Sequence, residues 1–152
     1  MTIAKTLMSW YSVNKRDLPW RKTKDPYFIW LSEIILQQTQ VKQGLPYYET
    51  FISKYPTIFH LANSTEEDVL KTWQGLGYYS RARNLHLSAK YVANQLKGKF
   101  PDNYKGLLQL KGVGDYTASA IASICFNEHT AVVDGNVYRF LSRIYGDQTP
   151  IN

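Results

Sequence analysis

Leu107-Leu108-Gln109-Leu110-Lys111-Gly112-Val113-Gly114-Asp115-Tyr116-Thr117-Ala118 decides how the rest of the chain is read. Apolar residues stand on both sides of a Gly-x-Gly, so the segment reads as two helices joined by a tight turn, a unit covering residues 107–126. Glycine permits the turn and lets another group come close to backbone N–H donors. The second helix starts at that turn, so its unsatisfied N–H groups and positive dipole end face the same way, toward an anion. A lone Gly-x-Gly between helices is an ordinary hairpin. The full Leu-x-Gly-Val-Gly-x-x-Thr-Ala pattern, in a basic chain, points to a nucleic-acid backbone gripped at Lys111, Gly112, Val113 and Gly114. Asp115 either sits awkwardly beside a phosphate or caps the second helix.

Outward from the hairpin, the pattern stays helical. Asp25-Pro26 is an N-cap followed by proline at the first helical position. From it Trp30, Leu31, Ile34, Ile35 and Val41 run as an apolar stripe. Ser64 and Glu67 form a capping box ahead of Val69, Leu70 and Trp73, and Gly75 and Gly77 close that helix. Leu85, Ala89, Val92 and Leu96 recur at three and four residues over a helix from Ser80 to Leu96, stopped by Gly98. A helix covers residues 1–15, and a last one follows Asp134-Gly135. With no alternating strand, linker or repeat, the class is all-α: a six-helix barrel over residues 16–147 plus the N-terminal helix. Gln148 to Asn152 follows with no closing element, as though cut in a loop.

Composition narrows the partners. The chain has 152 residues, 44% apolar and 20% charged, with a net charge of +6, which fits one globular domain with a polyanionic partner. No run reaches the roughly 18 apolar residues of a membrane span. Met1 to Tyr11 carries no cleavage site, so an intracellular protein without membrane contact is expected. One cysteine, Cys125, excludes an internal disulfide and a four-thiolate metal site. Within Ala120 to Phe126 it reads as a small buried hydrophobe. Twelve tyrosines include Tyr78-Tyr79-Ser80-Arg81-Ala82-Arg83. There aromatics can stack on bases while Arg81 holds phosphate; the alternative is a half-buried tyrosine surface.

Two carboxylates carry candidate chemistry. In Val132-Val133-Asp134-Gly135-Asn136-Val137-Tyr138-Arg139, Asp134 alone reads as an N-cap. Its interest is position, about twenty residues past the hairpin glycines. Glu33 shares a polar stripe with Gln37 and Gln40 at i, i+4 and i+7, which alone would be a solvated face.

From about Arg16 to Asn152, the chain resembles the MutY-type adenine DNA glycosylases of the helix-hairpin-helix superfamily. The resemblance rests on Leu18-Pro19-Trp20-Arg21, Trp30 to Val41, Gly75 to Asn84, the hairpin, and Val133-Asp134-Gly135-Asn136-Val137. It implies base-excision repair, with adenine removed opposite 8-oxoguanine or guanine in double-stranded DNA by a monomer associated with DNA in the cytoplasm or nucleoid. Glu33 would be the general acid, its pKa raised against apolar walls. Asp134, kept ionised by helix N–H donors, would stabilise an oxocarbenium-like sugar, with Asn136 as polar support. Gln37 and Tyr78 would wedge into the base stack. Arg16, Trp20, Arg21 and Leu36 would wall the adenine pocket; apart from the family, Trp20 and Leu36 read as core and the arginines as solvated.

The resemblance also implies a four-cysteine segment with a [4Fe-4S] cluster and an 8-oxoguanine-recognition domain farther on. The chain would end before both, leaving the N-terminal helix without its packing partners.

Endonuclease III shares this pattern but uses a lysine in the second hairpin helix to form a Schiff base. Tyr116 holds that position here, so Glu33, Asp134, Tyr116 and Asn136 are the expected catalytic set of a monofunctional enzyme. A nonenzymatic hairpin module would explain the turn but not both carboxylates, and a structural bundle would explain the apolar stripes but neither the hairpin nor the aromatic–arginine cluster.

Overall fold

A computed structural model describes residues 2–151. Met1 and Asn152, the two ends of the expected 1–152 core, lie outside the described residues. The helices are α1 (Ile3–Asn14), α2 (Pro26–Leu36), α3 (Val41–Lys54), α4 (Ile58–Asn63), α5 (Glu66–Trp73), α6 (Ser80–Asn94), α7 (Tyr104–Leu107), α8 (Asp115–Phe126) and α9 (Gly135–Tyr145), with a 3-10 turn at Pro19–Arg21. No strand occurs among the described residues, and the all-α class holds. Six of the helices between residues 16 and 147 have eight residues or more, α4 and α7 being the short ones.

Helix α2 is the axis of the core. Asp25 accepts from Tyr27 N–H at 2.9 Å and Pro26 takes the first helical position, fixing where the helix starts. Seven of its eleven residues are buried. Trp30, Leu31, Ile34 and Ile35 meet Phe51 of α3, Trp73 of α5, Leu85 and Val92 of α6, and Ile121 of α8 in one continuous core. Aromatic edges lock the layers: Phe51 meets Trp73 at 5.9 Å between centroids and Trp30 meets Phe100 at 5.4 Å. Ala82 and Ala89 keep α6 close to its neighbours. Gly98 N–H bonds Val92 O at 2.8 Å and ends that segment, with Lys97 and Gly98 both at positive φ.

Three details differ from the sequence reading. The stripe through Val41 is broken: α2 stops at Leu36, Gln38 turns left-handed (φ 54°), and α3 restarts at Val41. Glu33 and Gln40 therefore do not share one helical face. The cap of α5 is Thr65, accepting from Asp68 N–H at 3.1 Å, while Ser64 closes α4; adjacent hydroxyls made the register ambiguous. The first hairpin helix, α7, is a single turn whose cap is Asn103. Helices α1 and α9 contribute no buried residue.

Candidate functional site

Glu33 lies on α2, one turn before its end, and faces a cavity of about 650 Å³. Around that cavity stand Arg16, Leu18, Trp20, Arg21, Leu36, Gln37, Gln38, Tyr78, Tyr116 and Asp134. The 3-10 turn delivers the near wall: Trp20 is buried edge-on against Tyr48 at 5.1 Å, and Arg21 donates to the Arg16 carbonyl at 3.2 Å. Packing of α2 on α8 brings Tyr116 in from the opposite side. The residues expected at the pocket thus line one cavity, although Trp20 is also core, as its type alone suggests.

The two carboxylates sit in opposed electrostatic settings. Burial pushes the Glu33 carboxyl up to about 7, which favours its protonated form far more than an exposed carboxylate would. Asp134 caps α9. Its Oδ1 accepts from Val137 N–H at 2.9 Å and Asn136 N–H at 3.0 Å, and its Oδ2 accepts from the Asn136 amide at 3.1 Å. The Val137 bond, helped by Asn136 and by Arg139, holds its carboxyl below the usual carboxylate range. Asn136 is itself held, its side-chain oxygen accepting from Arg139. Tyr116 lines the same cavity as both carboxylates: burial first, then Glu33 and Asp134, raise its hydroxyl pKa.

The hairpin turn stands beside this cavity. Lys111, Gly112 and Gly114 are exposed. Gly112 (φ 79°) carries its hydrogen where a Cβ would come within 3.1 Å of Asn84 Cβ, while nothing lies within 4 Å of the corresponding point on Gly114. Ser88 donates to the Lys111 carbonyl at 3.0 Å and anchors the turn to α6. Asp115 accepts from Tyr104 O–H at 2.7 Å rather than capping α8.

Three expected contacts are placed differently. The Gln37 amide donates to the Gly112 carbonyl and to Thr117 Oγ1, both at 3.2 Å, so it ties α2 to the hairpin rather than projecting freely. Its neighbour Gln38 is exposed, lines the cavity and has the left-handed backbone that turns it outward. Arg81 is 8% exposed and spends its guanidinium on backbone carbonyls, so it does not offer itself to phosphate. Val113 is a core side chain, leaving only its backbone at the turn. Two adjacent glutamines with no glycine or proline to mark the helix stop leave nothing local to separate the tied one from the free one. Leu18, Val41 and Ser80 also line the cavity, and the sequence reading assigned them no site role.

Cys125 packs against the core, and burial pushes its thiol up to about 12, a protonated and inert state. A four-thiolate cluster does not fit the donors present: the chain has one cysteine, and the described residues hold no group of three or more His, Cys, Asp or Glu able to bind a metal. No helix among the described residues is long and apolar enough to cross a membrane.

An all-helical core with a glycine hairpin beside a cavity that holds two unequal carboxylates defines a helix-hairpin-helix protein. The model described as "HhH-GPD superfamily base excision DNA repair protein" matches residues 31–151, and the chain belongs to that superfamily. Among curated relatives, the adenine DNA glycosylase of Buchnera aphidicola subsp. Acyrthosiphon pisum is 46% identical over 141 residues, covering 92% of this chain. The human adenine DNA glycosylase is 47% identical over 148 residues, covering 91% of this chain. The chain spans 40% of the first of these relatives and 27% of the second. A thermostable thymine-DNA glycosylase has the same fold at a TM-score of 0.83 and 32% identity, over 91% of this chain and 64% of its own. An endonuclease III–DNA complex, at 20% identity, 0.78 TM-score and coverage of 97% and 71%, shares the fold.

Proposed function

We propose that this chain carries the base-removing centre of an adenine DNA glycosylase acting on adenine opposite 8-oxoguanine or guanine. The observation that carries the reading is one cavity lined by a proton-holding Glu33 and an ionised Asp134 beside a phosphate-ready turn. The relatives' names point the same way. Glu33 gives its proton to the adenine ring as the glycosidic bond breaks, and the bonding electron pair leaves with the base. Asp134 stabilises the resulting sugar cation until water attacks C1′ and loses a proton. Asn136 holds Asp134 in its acceptor geometry. Arg16, Trp20, Arg21 and Leu36 enclose the base, and Lys111 with the turn N–H groups holds the strand. Residues 16–147 act as the DNA-facing barrel with residues 1–15 as an appended helix, and the partner is double-stranded DNA inside the cell, bound by a monomer.

Strand cleavage in the manner of endonuclease III is the second reading. It needs an amine where Tyr116 stands, and no lysine is among the residues lining this cavity. The test is single-turnover release from an A·8-oxoguanine duplex, using this chain and a longer protein that contains it. Adenine should be released and the strand left intact until alkali is added. Absence of release from both proteins, or a borohydride-trapped adduct at the level of a true lyase, overturns the proposal.

A further inference from the structure

Arg81 is the most heavily used side chain outside the chemistry. Its Nη1 donates to the carbonyls of Ile35 (3.0 Å) and Gln37 (2.6 Å) and lies 3.3 Å from Ile34 O and Thr39 Oγ1. Nη2 reaches Leu76 O at 3.4 Å and Gly77 O at 3.3 Å. The guanidinium sits 5.0 Å from the Trp73 ring centroid and 5.7 Å from that of Tyr78. One planar cation therefore closes the free carbonyl end of α2 and, with its other nitrogen, the turn after α5.

Those two turns carry the two strained residues on this face. Gln38 (φ 54°) and Tyr78 (φ 47°) hold a left-handed backbone without being glycine, and for a residue as bulky as tyrosine such strain persists only where the surroundings enforce it. Both side chains are exposed at the rim of the cavity. Resting on the reading of this face as DNA-binding, we propose that Arg81 is a positioning residue. It clamps the 37–39 and 76–78 turns at a fixed spacing, so that Gln38 and Tyr78 enter the duplex together as a two-pronged wedge. Buried glutamine or lysine substitutes cannot reproduce the clamp, because neither spans both sets of carbonyls in one plane.

Two variants test this. Arg81→Met removes the cation, and Arg81→Lys keeps charge and stem but not the fork, guarding against simple failure to fold. In Arg81→Lys, amide hydrogen exchange at residues 36–40 and 75–79 should rise together by about tenfold or more, while residues 85–93 and 115–122 keep wild-type protection. A duplex with 2-aminopurine beside an A·8-oxoguanine pair should brighten on saturation with wild type, and Arg81→Lys should give less than about half that rise with affinity for plain duplex changed by less than about threefold. Unchanged exchange in both turns, or equal brightening by a folded Arg81→Lys, overturns the clamp. A wild type that binds the duplex without brightening it overturns the wedge instead, while coupled exchange in the two turns would still uphold the tie between them.

Discussion

At the scale of single residues, the cavity gives two carboxyl groups opposite environments. Burial alone lifts Glu33 from its ordinary value of 4.5 to about 7. Backbone N–H donors at the start of α9 hold Asp134 down. A group raised in the folded chain favours its protonated form, so its contribution to stability is full below 4.5 and is lost as pH rises through about 7. Glu33→Gln removes that loss. The variant should equal wild type near pH 4 and exceed it by about 2–3 kcal/mol above pH 8, read from denaturant melts across the range. Equal pH dependence in both proteins would show that Glu33 is not desolvated as described. Adenine release should follow the same direction: wild type loses activity as pH rises through about 7, where the acid has lost its proton. Glu33→Gln and Asp134→Asn should each lower single-turnover release by about 100-fold or more with duplex affinity within a few-fold.

At the scale of elements, the hairpin separates fold from grip at two glycines. Gly112 must stay left-handed and abuts Asn84, so Gly112→Ala should cost about 1–2 kcal/mol in a melt. Gly114 has an ordinary φ of −93° and empty space where a Cβ would go. Gly114→Ala should leave stability within about 0.5 kcal/mol yet weaken DNA binding several-fold, because the methyl takes the place a phosphate needs. A Gly114→Ala variant with wild-type affinity would mean that the strand does not meet this turn. Lys111→Gln should lower the slope of log affinity against log salt by about 1.

The same element shows what the sequence could and could not disclose. Asp25-Pro26, the α6 stripe and the Asp134 cap are local signals, and each marks its element within a residue or two. The end of α2 is not local. Leu36-Gln37-Gln38-Thr39-Gln40 contains no breaker, and the carbonyls where the helix stops are taken by Arg81, more than forty positions on. Arg81 read as a phosphate contact from its aromatic neighbours and Gln37 as a wedge from the family resemblance, and neither reading carries the contacts that meet at the end of α2. Glu33, Tyr116 and Asp134 could be named individually from motifs, but their meeting around one cavity depends on α2 packing against α8, which no spacing along the chain encodes.

At the scale of the whole molecule, the described residues form a dense core from α2 to α8 and a thin flank. The turns at 37–39, 76–78 and 111–114 are tied to that core and to one another: Gln37 holds the hairpin carbonyl, Arg81 holds both neighbouring turns, and Ser88 holds Lys111. The flank is different. Helices α1 and α9 face each other across an open apolar cleft lined by Ile3, Leu7, Trp10, Phe140 and Ile144, and all five side chains are substantially exposed. Together with Met8, Tyr138 and Tyr145, they make an apolar surface of the kind that drives association in water. None of these residues belongs to the core cluster, so charges placed there should cost the core little. Leu7→Glu with Ile144→Glu should therefore reduce aggregation measured by light scattering while shifting the cooperative melt of the core by less than about 4 °C. Amide exchange should speed up in α1 and α9 only. A drop beyond about 10 °C, or lost protection in α2 and α6, would mean that the flank is part of the cooperative unit.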